Sequence, residues 1–189
     1  ISRPFAEAGT ERMTLSVSHP FRHILVAQED PIENGSRAWL DKGHFLLTED
    51  NLKISSAVAE KLIERGCTVS LIEREVLQDA DALRKWCDAY PVNGAQLSGI
   101  VHLAPLGSDW LDRDSSLAMW RQQLQINEKS FFILLRHFSE KLASDSHIVS
   151  VSGLGGYFGR QKGFCSGLSL QGGSVGMLKS LSDERPELR

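Results

Sequence analysis

Residues 97–103 read LSGIVHL, and this short run decides the fold. An extended chain alternates its side chains between two faces, and here both faces carry apolar residues: Leu97, Val101 and Leu103 on one, Ile100 on the other. Strands buried on both faces belong to parallel sheets covered by helices. Working outward, His44–Thr48 (HFLLT), Cys67–Glu73 (CTVSLIE) and His147–Ser152 (HIVSVS) read as further short strands. Helical spacing separates them. Ile54, Ala57, Val58, Leu62 and Ile63 mark a helix over 54–65, ended by Gly66. Ala82, Leu83, Trp86, Cys87 and Tyr90 mark a second over 79–90. A helix or two is expected over about 114–143, and a last helix from about Gln171. Between Glu73 and Asp79 there is room for a turn or a very short strand.

Strands alternating with helices imply an α/β fold: a Rossmann-like, doubly wound parallel sheet. Right-handed crossovers and the switch-point order place 44–48 between 67–72 and 97–103. Residues 1–43 are expected to form a linker and an N-terminal strand segment, with 1–20 a flexible lead-in and Phe21–Ala27 a short strand. Residues 44–189 form the Rossmann-like domain.

The chain has 189 residues, 41% hydrophobic and 24% charged, with a net charge of −3. That near-neutral balance makes no electrostatic case for nucleic acid or an anionic membrane. No apolar run is long enough to span a bilayer, and residues 1–12 carry no secretory apolar core. Cys67, Cys87 and Cys165 are odd in number and widely spaced, without CxxC or HExxH. A disulfide framework and a metal site are not expected, and a reducing cytoplasm is.

Residues 171–181 read QGGSVGMLKSL. They resemble the helix that follows the active-site tyrosine of short-chain dehydrogenase/reductases, where Y-x-x-x-K precedes A-G-x-x-G-x-x-K-x-L. On that pattern Gln171 takes the lysine position and Gly167 the tyrosine position. Residues 101–105, VHLAP, resemble the V-H-x-A-G of polyketide synthase ketoreductases, and 127–132, NEKSFF, resemble N-V-x-G-x-F. The chain therefore resembles a ketoreductase-like domain of a polyketide or related fatty-acid megasynthase, over roughly residues 44–185. The resemblance also implies further strands after Arg189, so the domain reads as C-terminally truncated.

What the resemblance implies about chemistry is mostly loss. The family's glycine-rich cofactor turn falls on residues 48–55, TEDNLKIS, with Thr48, Glu49, Asp50 and Asn51 at its start and no glycine. Glu49 and Asp50 suit a helix N-terminus as caps but repel a pyrophosphate. His102 and Ala104 lie at the strand end beside that turn; His102 is read as hydrogen-bonded structure. Asn127 matches the family's relay asparagine, or is a satisfied structural group. The orienting serine falls on Ser152 or on Gly153. At the tyrosine position Gly167 has no proton to donate. Tyr157, Cys165 and Ser166 are poor substitutes, and Lys129 is off register and read as a surface lysine.

Three functions follow as expectations. The first is a non-catalytic, architectural domain that takes no cofactor and contacts neighbouring synthase domains and an acyl carrier protein. The second is an active NADPH-dependent β-ketoacyl reductase with an atypical site. The third is a Rossmann-type regulatory or ligand-binding domain. The resemblance also implies homo-oligomerisation through helices near 124–142 and 171–182.

Overall fold

The computed structural model describes residues 13–14, 24–25, 42–90, 96–109, 111–153 and 170–188. The chain divides into two compact units, Ile1–Ala38 and Trp39–Arg189. In the first, β1 (Met13–Thr14) pairs antiparallel with β2 (Ile24–Leu25). Ile24–Leu25, within the strand expected over Phe21–Ala27, are in a strand; the rest of that stretch lies outside the described residues. The partner of β2 lies in the stretch expected as an unstructured lead-in, because a two-residue strand leaves no period in the sequence.

Among the described residues, the second unit holds a four-stranded, all-parallel sheet in the order β4-β3-β5-β6. Its elements run β3 (His44–Thr48), α1 (Ile54–Glu64), β4 (Thr68–Ile72), α2 (Arg74–Gln78), α3 (Ala80–Ala89), β5 (Leu97–His102), α4 (Leu117–Leu124), a π-turn (Gln125–Lys129), α5 (Ser130–Phe138), β6 (Leu142–Ser150) and α6 (Gly173–Glu184). As expected, β3 lies between β4 and β5, so the chain leaves β3 to one side and returns on the other. The crevice outside the carboxyl ends of β3 and β5 is the switch point of a doubly wound sheet.

Period-two alternation on β3 builds a core on each face of the sheet. Phe45 and Leu47 pack with Leu62, Cys67 and the α1 residues Val58 and Ala59. Leu46 faces the other way, into a larger cluster with Ile72, Leu83, Cys87, Ile100, Phe131 and Phe138. The α3 stripe is as read, with Leu83 and Cys87 fully buried.

Several details depart from the sequence expectations. On α1 the buried stripe is Ser55, Val58, Ala59 and Leu62, while Ala57 and Ile63 face outward. Hydropathy alone cannot distinguish a buried serine from an exposed isoleucine. Residues 74–78 are a helical turn, α2, rather than a plain turn or strand: Leu77 is buried beneath it and Glu49 binds its first amide. Strand β6 begins at Leu142, earlier than His147, because Leu142 pairs with Leu97 and the Ser146 hydroxyl donates to the Leu97 carbonyl. The helical stretch before it is broken by the π-turn. Helix α6 starts at Gly173, two residues after Gln171.

Candidate functional site

Thr48 ends β3 and is the hub of the switch-point crevice. Its hydroxyl accepts from the amides of Leu103 and Ala104 at 2.8 and 3.0 Å, which fastens the end of β3 to the end of β5. It also lies 3.1 Å from His102 Nδ1. His102 Nε2 lies 2.9 Å from the backbone carbonyl of Asn127. A carbonyl only accepts, so Nε2 carries the proton and Nδ1 accepts from the Thr48 hydroxyl. The imidazole is fully buried and stacks on Phe131, 4.6 Å between centroids. Burial pushes its pKa down to about 4, against a smaller upward pull from the Asn127 carbonyl. His102 is thus a neutral structural bridge with both nitrogens in use.

Asn127 continues the network inside the π-turn. Its side-chain oxygen accepts from the Ser108 hydroxyl at 2.8 Å, and its amide donates to Gln123 Oε1 at 3.4 Å. All three side chains are buried. Thr48, His102 and Asn127 are therefore brought into one chain of contacts, and that chain holds β3, β5 and the π-turn together. Lys129, at the end of the π-turn, is exposed.

The turn after β3 folds onto itself. Both oxygens of Asp50 are engaged: Oδ2 accepts from the amides of Leu52 and Ile54 at 2.9 and 3.1 Å, and Oδ1 from the amide of Ser55 at 2.7 Å. These include amides of the α1 N-terminus, which no residue of the helix itself can satisfy. The side chain is only 4% exposed. Lys53 stands in the left-handed region, φ 59°, to let the turn close this tightly. Asn51 reaches across to the loop after β5, its amide to the Leu106 carbonyl at 3.3 Å and its side chain to the Gly107 carbonyl at 3.0 Å. Gly107 has φ +70°, and a Cβ there would stand 2.9 Å from Asn51 Cβ. The two loops meet in direct contact.

Glu49 and Arg74 close the other side. The Glu49 carboxylate accepts from the Arg74 amide at 2.9 Å, and the Arg74 guanidinium donates to the Ala104 carbonyl at 3.0 Å. Burial lowers the Arg74 pKa, while Asp109, Asp50, Glu49 and Glu75 pull it back up. Ala104 therefore contributes its carbonyl to a tie between the start of α2 and the end of β5.

Beyond β6, the Gln171 amide oxygen accepts from the Gly153 amide at 2.7 Å, with Gln171 buried. Ser152, next to Gly153, is half-buried. Gly167, Tyr157, Cys165 and Ser166 lie outside the described residues. At the head of α6, Glu128 Oε1 accepts from the Gly173 amide at 2.9 Å. Its other oxygen is buried without a hydrogen-bond partner among the described residues. Burial raises the Glu128 pKa, against the amides of Gly173 and Ser174, which favour the charged form.

Arg74, Ser108, Gln123 and Glu128 are the residues that sequence reasoning missed. Arg74, Ser108 and Glu128 act on partners far along the chain, and Gln123 holds Asn127 from one turn earlier, a pairing no hydropathy pattern marks. Among the described residues no cluster of His, Cys, Asp or Glu could hold a metal ion, and no helix is long and apolar enough to cross a membrane.

No protein-family profile matches the chain, and no curated protein matches it in sequence. Solved structures do match. A protein of Shigella flexneri described as a short chain dehydrogenase and complexed with NADP is 21% identical, with a TM-score of 0.62 over 81% of this chain and 76% of that one. The oxidoreductase yciK of E. coli is 19% identical, with a TM-score of 0.62 over 81% and 75%. The aldohexose dehydrogenase of Thermoplasma acidophilum is 18% identical, with a TM-score of 0.64 over 79% and 64%. These likenesses, set beside the all-parallel sheet and its strand order, establish that the chain has the short-chain dehydrogenase fold.

Proposed function

We propose that this chain is a non-catalytic, ketoreductase-like domain with an architectural role in a polyketide or fatty-acid synthase. One observation carries the reading. Gln171, at the family's lysine position, uses its amide oxygen to hold the Gly153 amide, beside the family's serine position. A neutral amide engaged in this way supplies no cation to lower the pKa of a neighbouring acid. Asn127 and His102 support the same reading, since their polar atoms are taken up by Ser108, Gln123, Thr48 and each other. The side chains in the relevant places hold the fold.

A nicotinamide cofactor is the group the fold implies, and the residues at its expected place do not fit it. Asp50 already binds the amides a phosphate would need, and Gly107 abuts Asn51 where the backbone would have to part. The partners this reading implies are neighbouring synthase domains and an acyl carrier protein, in the cytoplasm. Self-association through the helices near 124–142 and 171–182 also belongs to it, and Phe132 on α5, 51% exposed, offers apolar area for such a contact.

A second reading, an active NADPH-dependent β-ketoacyl reductase, draws support from the Shigella flexneri neighbour and its NADP. One assay separates the two. The chain is incubated with NADPH and a β-ketoacyl thioester, and cofactor oxidation is followed. The architectural reading expects no turnover above the enzyme-free rate. Saturable turnover that depends on the thioester replaces it with the second reading.

A further inference from the structure

We infer that the switch-point crevice is closed by its own side chains against phosphate-bearing dinucleotides, with the Asp50 carboxylate standing in for a pyrophosphate at the N-terminus of α1. The inference rests on the non-catalytic reading and says how this crevice came to refuse its ligand.

Three features of the crevice carry it. A dinucleotide binds in this fold by laying its pyrophosphate on the free amides of the helix after the first strand. Here those amides already hold an anion. Asp50 takes two of them, from Ile54 and Ser55, together with the Leu52 amide of the turn, and it does so from a buried position. An incoming phosphate would have to expel a covalently attached competitor. The ceiling of the crevice is also shut. Asn51 makes two hydrogen bonds to the loop after β5, and Leu52 Cγ stands 3.0 Å from where a Gly107 Cβ would be. No slot separates the two loops at this point. Finally, the mouth has the wrong charge. The Arg74 guanidinium is bound to the Ala104 carbonyl, the Glu49 carboxylate sits on the Arg74 amide, and Asp50, Glu75 and Asp109 lie within electrostatic reach. Four acids around one base repel a polyanion.

The arrangement differs from ordinary helix capping in its reach. A cap needs one or two amides and leaves the crevice open. Here the same turn caps the helix, seals the gap between β3 and β5, and places acid at the entrance.

Thermal unfolding of the chain in inorganic pyrophosphate tests the inference, with sodium chloride at matched ionic strength as the reference. The wild type is compared with Asp50→Gly, which vacates the anion position, and with Asp50→Ser, which keeps a small neutral cap should the glycine variant fail to fold. The wild-type midpoint is expected not to move with pyrophosphate. Both variants are expected to melt lower and to be raised by pyrophosphate, reflecting binding at least roughly tenfold tighter than in the wild type. Wild-type stabilisation by pyrophosphate or NADPH beyond the salt reference overturns the inference. So does a folded Asp50→Ser that pyrophosphate leaves unchanged. NADPH binding without thioester reduction would remove the closure and leave the non-catalytic reading standing, whereas turnover would remove both.

Discussion

Two helices in this domain present their N-termini to a buried carboxylate, and the two cases are not equivalent. At α1, Asp50 binds three amides and uses both oxygens. At α6, Glu128 binds the Gly173 amide with one oxygen and leaves the other buried without a partner. The first carboxylate comes from the turn that starts its own helix, two to five residues from its donors. The second comes from the π-turn, 45 residues away. A local turn can be shaped around its anion. A cap delivered from another element must accept the geometry that packing leaves it, and here the result is a hydrogen bond to Gly173, the Ser174 amide nearby, and a second oxygen desolvated without a partner among the described residues. Asp50 is therefore a net stabiliser, while Glu128 holds α6 in place at some energetic cost.

Substituting the amide for the acid should expose this difference most strongly at Asp50. Asn has one accepting oxygen, so in Asp50→Asn an NH2 group must face the amide of Ser55 or those of Leu52 and Ile54. A loss of about 2–3 kcal/mol is expected for setting donor against donor in a buried site. Urea unfolding at neutral pH measures it, and a loss below about 0.5 kcal/mol would show that the turn does not depend on its anion.

Acid should act on the network that holds the π-turn. The folded-state pKa of His102 is about 4, below the ordinary value of 6.5. Between those values the unfolded chain binds a proton that the folded chain refuses, so stability rises with pH in that window. The contribution of a neutral His102 is complete above pH 6.5 and is lost as pH falls to 4, about 3 kcal/mol across the range. Glu128, with its pKa raised, works in the opposite direction. Unfolding free energies at several pH values, in the wild type and in His102→Asn, test this. The expected result is a slope in that window that the variant loses; an unchanged slope assigns the acid sensitivity elsewhere.

What could be read in advance follows the same division between local and distant. The four strands, their parallel order and the α3 stripe were legible because they rest on period and on chain connectivity. Asp50 as a cap was legible too, since an acid just ahead of a helical pattern has a local meaning. The fastening of that turn to Leu106 and Gly107 was not, because it needs the other loop to be in place. Arg74 and Glu128 were missed for the same reason: a long side chain that binds a distant backbone leaves no spacing to detect. The outward Ile63 on α1 was misread and the inward Ser55 was passed over, because that serine accepts from the Asp50 amide inside the turn, at 3.4 Å, a role hydropathy does not record. Resemblance pointed to Asn127 and Gln171, but only their partners show what they do.

A methyl group offers a sterically direct probe of the second cap. At Gly173 an added Cβ would fall against the Glu128 carboxylate, 2.8 Å from its Cδ and in closer conflict with Oε2. Alanine is the better helix former, so an open position would gain up to about 1 kcal/mol from Gly173→Ala. The clash should reverse that sign and give a net loss of about 1–2 kcal/mol. Gly176, three residues on, has nothing within 4 Å of its added Cβ and serves as the control expected to gain. If both alanines stabilise alike, Glu128 is free to swing away and does not fix the start of α6.

The smallest effect should come from Glu128→Gln, and its sign is the most informative. Gln keeps an oxygen for the Gly173 amide and removes the charge that burial penalises. It also places an NH2 where Oε2 had no partner, so part of the gain is given back. A net stabilisation of no more than about 1 kcal/mol is expected at neutral pH. The pH dependence separates this from a simple packing change. The folded-state pKa of Glu128 lies above its unfolded value, so the penalty on the wild type is present when the carboxylate is charged and fades as acid protonates it. The advantage of Gln should shrink as pH falls through that pKa, until acid and amide are equally neutral. A destabilised variant at neutral pH would mean that the second oxygen has found a donor, and that the two helix caps are alike after all.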